Sequence, residues 1–168
     1  NMLKLSLSTL RYDFECLPED AYAFGLFRDC GIPLMAIKYQ NYKEVLIEAN
    51  ANPEQIFTDI EDNYYQTNHA LIGYYMARSW KLPKQLCHLI QDHHKSDYLE
   101  TTDGDNAQKE IFALSKIACN ALSQYKFNRD DSEWLLVKNS VLDFFSLSEP
   151  DYKDIEEDLR DAFDIQYN

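Results

Sequence analysis

Three of the four histidines carry the chemistry that this sequence offers. His69 falls at helical offsets of three, seven and eleven from Ile72, Met76 and Trp80, which places it on the inward side of a helix. His93 follows Leu86, Leu89 and Ile90 at helical spacing and also points inward, with His94 about 100° further round. An inward imidazole needs a partner, because burying it unpaired is costly. A hydrogen bond or a metal ion can serve, and a hydrogen-bonded core histidine is the commoner outcome. Asp29 closes an apolar stretch (Ala21, Phe24, Gly25, Phe27) just before Gly31. In its ordinary role it bonds locally at a helix end or faces solvent. Beside imidazoles it would be a hard oxygen ligand, a combination suited to Mn, Fe or Zn. His88 is read as a surface or partly packed residue.

Other chemistry is sparse. The cysteines (Cys16, Cys30, Cys87, Cys119) are widely spaced with no CxxC, so they read as reduced core residues rather than a disulfide or zinc framework. Cys30 has no neighbouring histidine to activate it. The sequence contains no Gly-rich phosphate loop and no G-x-S-x-G.

The elements that must position these residues are helices. Nine Gly and Pro in 168 residues leave little material for frequent turns, and three Val and five Thr give little β-branched sequence. Helical segments are predicted over residues 2–15, 19–29, 33–50, 67–80 and 106–126. Asn52-Pro53-Glu54 sets a cap with Pro at the first helical position, Pro83 opens a helix over 84–94, and Gly31-Ile32-Pro33 marks one helix end and a new start. Asp130-Asp131-Ser132-Glu133 offers an acidic cap before Trp134, and Ser148-Glu149-Pro150-Asp151 starts a last helix with Ile155, Leu159 and Phe163 in register. Residues 96–106 are the one clear polar loop. The expectation is an all-α bundle of about nine helices.

The balance of 16 Lys+Arg against 29 Asp+Glu gives a net charge of −13, which argues against nucleic acid or a basic membrane-surface helix. No run of 18 apolar residues and no signal-peptide pattern occurs, so a cytoplasmic location is the default. The last twenty residues hold eight acids and two bases, read as the solvated face of a packed helix.

These residues resemble a known family. Gly25-Leu26-Phe27-Arg28-Asp29-Cys30-Gly31 resembles the G-L-L-H-D-I-G segment of HD-type phosphohydrolases. Glu61 followed eight places later by His69, then Gly73, Trp80-Lys81-Leu82-Pro83 and His93-His94, resembles the HDOD domain, and the likeness spans residues 6–122. It implies an all-helical, noncatalytic relative of HD hydrolases, often attached to bacterial signalling modules. Residues 1–127 would be the HDOD-like core, lacking an upstream helical half, with 128–168 a helical pair packed on the same domain. Asn1 before Met2 reads as a scar or a fragment of a longer chain.

The departures from the family's catalytic relatives matter most. The HD metal site resembles His…His-Asp…Asp, and here Arg28-Asp29 stands for the His-Asp pair, Leu5 for the first His and Cys119 for the final Asp. A guanidinium is no metal ligand, and beside Asp29 it competes with a cation for the carboxylate. The expectation is therefore an Arg28–Asp29 ion pair in a vestigial site of Arg28, Asp29, His69, His93, His94 and Cys119. No cofactor is expected; the alternative is one divalent transition metal on Asp29, His69, His93 and His94, as in the multi-histidine branch of the superfamily. The function read from this is a signalling or regulatory interaction module with a protein partner. Two alternatives stand beside it: a metal-dependent phosphohydrolase acting through Asp29, His69, His93 and His94, and a sensor of a small anionic ligand near Arg28.

Overall fold

The computed structural model describes residues 12–52 and 54–167, and those residues form nine α-helices and no strand. They are α1 (Pro18–Phe27), α2 (Ile32–Lys38), α3 (Tyr42–Ala51), α4 (Phe57–Tyr65), α5 (His69–Ser79), α6 (Lys84–Asp92), α7 (Asn106–Phe127), α8 (Trp134–Phe144) and α9 (Glu149–Tyr167). The all-α expectation holds. The number is reached partly by different helices: one expected helix is divided, and the one expected over 2–15 lies mostly outside the described residues.

Of the expected helix over 2–15, only residues 12–15 lie among those described, and they are not helical. The backbone N–H groups of Glu15 and Cys16 donate to the Glu110 carboxylate at 3.1 and 2.7 Å, a long-range anchor that takes the place of helical bonds. The expected helix over 33–50 breaks at residues 39–41, where Tyr39 turns extended (φ −119°, ψ 113°). Pro53 lies outside the described residues, and the helix assigned to it starts at Phe57 instead, behind Ile56. The other starts are sound. Asn68 accepts from the Leu71 N–H at 2.8 Å to cap α5, and Asp105 with Gln108 forms a capping box on α7. At α9 the Ser148 N–H donates to the Asp151 carboxylate at 2.8 Å.

One core runs through the long α7, whose Ile111, Phe112, Leu114, Ile117 and Ala118 are buried. Around it pack Phe24 of α1, Leu86, Leu89 and Ile90 of α6, Trp134 and Val141 of α8, and the Ile155/Leu159/Phe163 stripe of α9. Each such aliphatic or aromatic side chain contributes roughly 1.5–3 kcal/mol on burial. A smaller cluster of Val45, Ala49, Phe57 and Ile60 joins α3 to α4. On α5 the buried face is His69, Ala70, Gly73 and Ala77; Trp80, read from sequence as core, is 51% exposed.

Two glycines set the corner that carries the site. A Cβ on Gly31 would meet the His69 carbonyl oxygen at 2.0 Å and the Gly73 nitrogen at 2.9 Å. Gly73 in turn lies against Ile90 and Cys30, and a Cβ there would meet them at 3.1 and 3.4 Å. The α1–α2 turn therefore rests directly on the backbone of α5, which brings Asp29 to His69.

Candidate functional site

The α1–α2 turn supplies Arg28 and Asp29, the first residue of α5 supplies His69, and the end of α6 supplies His93 and His94. The sequence reading carries α6 through residue 94. The helix stops at Asp92, His93 is its C-cap, and the chain turns there. That turn lets two adjacent histidines face one point, which continuous helix would set about 100° apart.

The three imidazoles are oriented alike. His69 Nδ1 lies 2.7 Å from a Glu61 carboxylate oxygen, His94 Nδ1 2.6 Å from Glu133, and His93 Nδ1 2.7 Å from the Ile90 carbonyl. Ionised carboxylate and carbonyl oxygens only accept, so each Nδ1 is the donor, and in the neutral imidazole each Nε2 presents a lone pair. The Nε2 atoms of His69 and His94 are 2.9 Å apart. His93 and His69 place Nε2 at 3.5 and 3.8 Å from one Asp29 oxygen. His93 Nε2 is buried and has no hydrogen-bond partner among the described residues.

Second partners hold the supporting carboxylates. Tyr42 donates its hydroxyl to Glu61, and Glu61 also accepts the His69 backbone N–H at 3.2 Å. Lys116 of α7 binds the other oxygen of Glu133 at 2.6 Å, with both side chains nearly buried. Burial works to raise the Glu133 carboxyl, but Lys116, then His94, outweigh it and hold it well below the usual range. The expected capping box at Asp130–Glu133 does not form, because the Glu133 carboxylate is committed to His94 and Lys116. Phe57 walls the site, stacked on His94 at 5.2 Å and edge-on to His69 at 5.5 Å.

Arg28 bonds to its neighbour. Its Nε donates to the second Asp29 oxygen at 3.0 Å, and one terminal nitrogen lies 2.8 Å from Cys119 Sγ on α7. Burial would raise the Asp29 carboxyl, yet Arg28, then His93 and His69, hold it well below its ordinary value. Burial pushes His93 down, and burial with His93 as neighbour pushes His94 well below the imidazole range. The Cys119 thiol is pushed up by burial, against Arg28, and so is a poor nucleophile.

A cavity of about 240 Å³ opens onto the histidines, lined also by Arg28, Asn50, Lys116 and Cys119, and a second of about 420 Å³ shares Arg28 and Cys119 with it. Arg28, Asp29, His69, His93, His94 and Cys119 thus meet at one place. Cys30 points away, with Sγ 3.8 Å from the Gly73 carbonyl, and His88 leans on Tyr74. Lys116 and Tyr42 had no assigned part in the sequence reading, and Glu133 was read there only as part of an acidic cap. Glu61 stood in the family pattern without a role.

A family model described as HDOD domain matches residues 9–96, slightly more than half of the chain. The chain belongs to the HDOD family. Glu61, His69, Gly73 and the His93-His94 pair of the domain all lie inside the matched span, while Cys119, Lys116 and Glu133 lie beyond it. No curated protein and no solved structure matches this HDOD domain. No helix among the described residues is long and apolar enough to cross a membrane.

Proposed function

We propose that this HDOD domain is a noncatalytic regulatory module that acts by presenting its helical surface to a protein partner in a signalling pathway. One observation carries the noncatalytic part: the Arg28 guanidinium lies between Asp29 and Cys119, bonded to both. HD hydrolases need metal ligands at the positions equivalent to Arg28, Asp29 and Cys119, with a bound ion that activates water. This donor set does not fit such an ion. A fixed cation occupies one carboxylate oxygen of Asp29, and the thiol beside it is kept protonated by burial. The family resemblance supplies the regulatory and partner-binding part.

Arg28 and Asp29 then work as structure. Their pair ties the α1–α2 turn to α7 through Cys119, and it keeps the carboxylate charged at the mouth of the cavity. The test is hydrolysis of generic phosphomonoesters and phosphodiesters with Mn²⁺, Mg²⁺ or Fe²⁺ added. No turnover above the metal-containing buffer is expected. Turnover that disappears in Asp29→Ala would instead favour the phosphohydrolase reading.

A further inference from the structure

We propose that Asp29, His69, His93 and His94 form a four-ligand site for one borderline divalent transition metal, of which zinc is the best fit. Of the HD His-Asp…Asp positions the site uses Asp29 alone, its histidines being those of the multi-histidine branch, and it is independent of the noncatalytic reading above.

The first ground is geometric. One ligand atom from each of the four residues lies within 4.8 Å of all the others. A tetrahedral ion with ligand bonds of ~2.0–2.1 Å needs ligand atoms separated by about 3.3–3.4 Å. The separations of 2.9, 3.5 and 3.8 Å among His94, His69, His93 and Asp29 bracket that value.

The second ground is chemical and stands apart from the first. All three Nδ1 atoms are committed as donors to Glu61, Ile90 and Glu133, so in the neutral imidazoles three Nε2 lone pairs converge with a carboxylate oxygen. Two such lone pairs at 2.9 Å repel unless a cation stands between them. One added proton could bridge the His69–His94 pair, yet it would leave the buried His93 Nε2 unpartnered. A metal ion satisfies all four donors together. Carboxylates and carbonyls on the far nitrogen of metal-bound histidines are the usual outer support, and here each histidine has one. The Asp29 oxygen that faces the histidines is not the one held by Arg28, so the ion and the guanidinium share one carboxylate.

Four protein donors and an apolar wall of Phe57 describe a closed site. Closed tetrahedral sites hold structure, while catalytic ones keep a position open. The bound ion would fasten the α1–α2 turn to α5 and the end of α6.

The test uses the whole chain, purified without a histidine tag, stripped with chelator, and titrated with Zn²⁺ and with Co²⁺. Expected are one ion per chain, the intense visible absorption of tetrahedral Co²⁺, and a saturable rise in Tm. Asp29→Asn, in a turn and two-fifths exposed, should keep the fold by circular dichroism and lose the tetrahedral spectrum. Glu61→Gln should weaken binding by ~10–100-fold, as outer-support substitutions do. His88→Ala should change nothing. Absent or substoichiometric binding, or binding untouched by both Asp29→Asn and His93→Ala, would overturn the site while leaving the noncatalytic reading intact. Phosphoester turnover by the zinc-loaded chain would do the reverse.

Discussion

Replacing Glu133 while leaving Lys116 in place perturbs the site from its far side. The two side chains are 10% and 7% exposed and lie 2.6 Å apart, so Lys116 has its charge neutralised almost wholly within the protein. Removing one partner of a buried pair strands the other, at a cost of ~3–5 kcal/mol. His94 also loses the acceptor on Nδ1, which adds about 1–3 kcal/mol for an unmade buried hydrogen bond. Against a total stability of ~5–15 kcal/mol for a domain of this kind, Glu133→Leu should fold marginally or only at low temperature. Lys116→Met combined with Glu133→Leu removes both charges and should recover most of the loss, since apolar replacement of a whole pair is often neutral or better. Urea unfolding reads the difference as a shift of midpoint at constant slope. A single variant within ~1 kcal/mol of the parent, or single and double variants of equal stability, would refute the view that this pair is a buried charge balance supporting His94.

Three further outcomes are expected. Gly31→Ala must open the contact with the His69 carbonyl by roughly an ångström, and because both sides are backbone the cost should lie at or above the upper end of the ~1–3 kcal/mol usual for overpacking; a thermal midpoint equal to the parent would contradict that contact. The Asp151 carboxyl is held below its ordinary value by the Ser148 hydroxyl and then the Ser148 backbone N–H, so its contribution is complete above the unfolded pKa of ~3.9 and fades as pH falls through the lower native value. Acidification should therefore fray the start of α9 in amide hydrogen exchange, and Ser148→Ala, which removes the hydroxyl and keeps the backbone N–H, should reduce that pH dependence. Burial, with Glu110 beside it, pushes the Cys16 thiol up to about 12, so iodoacetamide at pH 8 should leave Cys16 unmodified in peptide mass maps until denaturant is added.

The helical class, most starts and the histidine set were legible because they are local. Helical spacing, caps and the α9 stripe depend on neighbours within a turn. The Arg28–Asp29 pair was legible through the family likeness, which sets Arg28 where a ligand histidine would stand beside Asp29. What escaped depends on distance along the chain. Glu133 reads locally as a cap residue, and nothing near it reveals that its carboxylate answers His94, which lies 39 residues away. Lys116 sits inside an apolar helix and shows its purpose only when α8 is laid beside α7. The end of α6 at Asp92 likewise has no Gly or Pro to announce it, and it falls where His93 and His94 turn toward Asp29 and His69. Residues 12–15 are not helical, and at their end the Glu15 and Cys16 N–H groups donate to Glu110, far along the chain.

The measurement closest to the central claim is a single-turnover assay on chain of known metal content, with the domain in excess over a chromogenic phosphodiester and Mn²⁺ or Zn²⁺ at saturation. If Arg28 has closed the hydrolytic centre, no product forms beyond the rate in metal-containing buffer. Product that forms with the parent and vanishes in Asp29→Ala would contradict the noncatalytic reading.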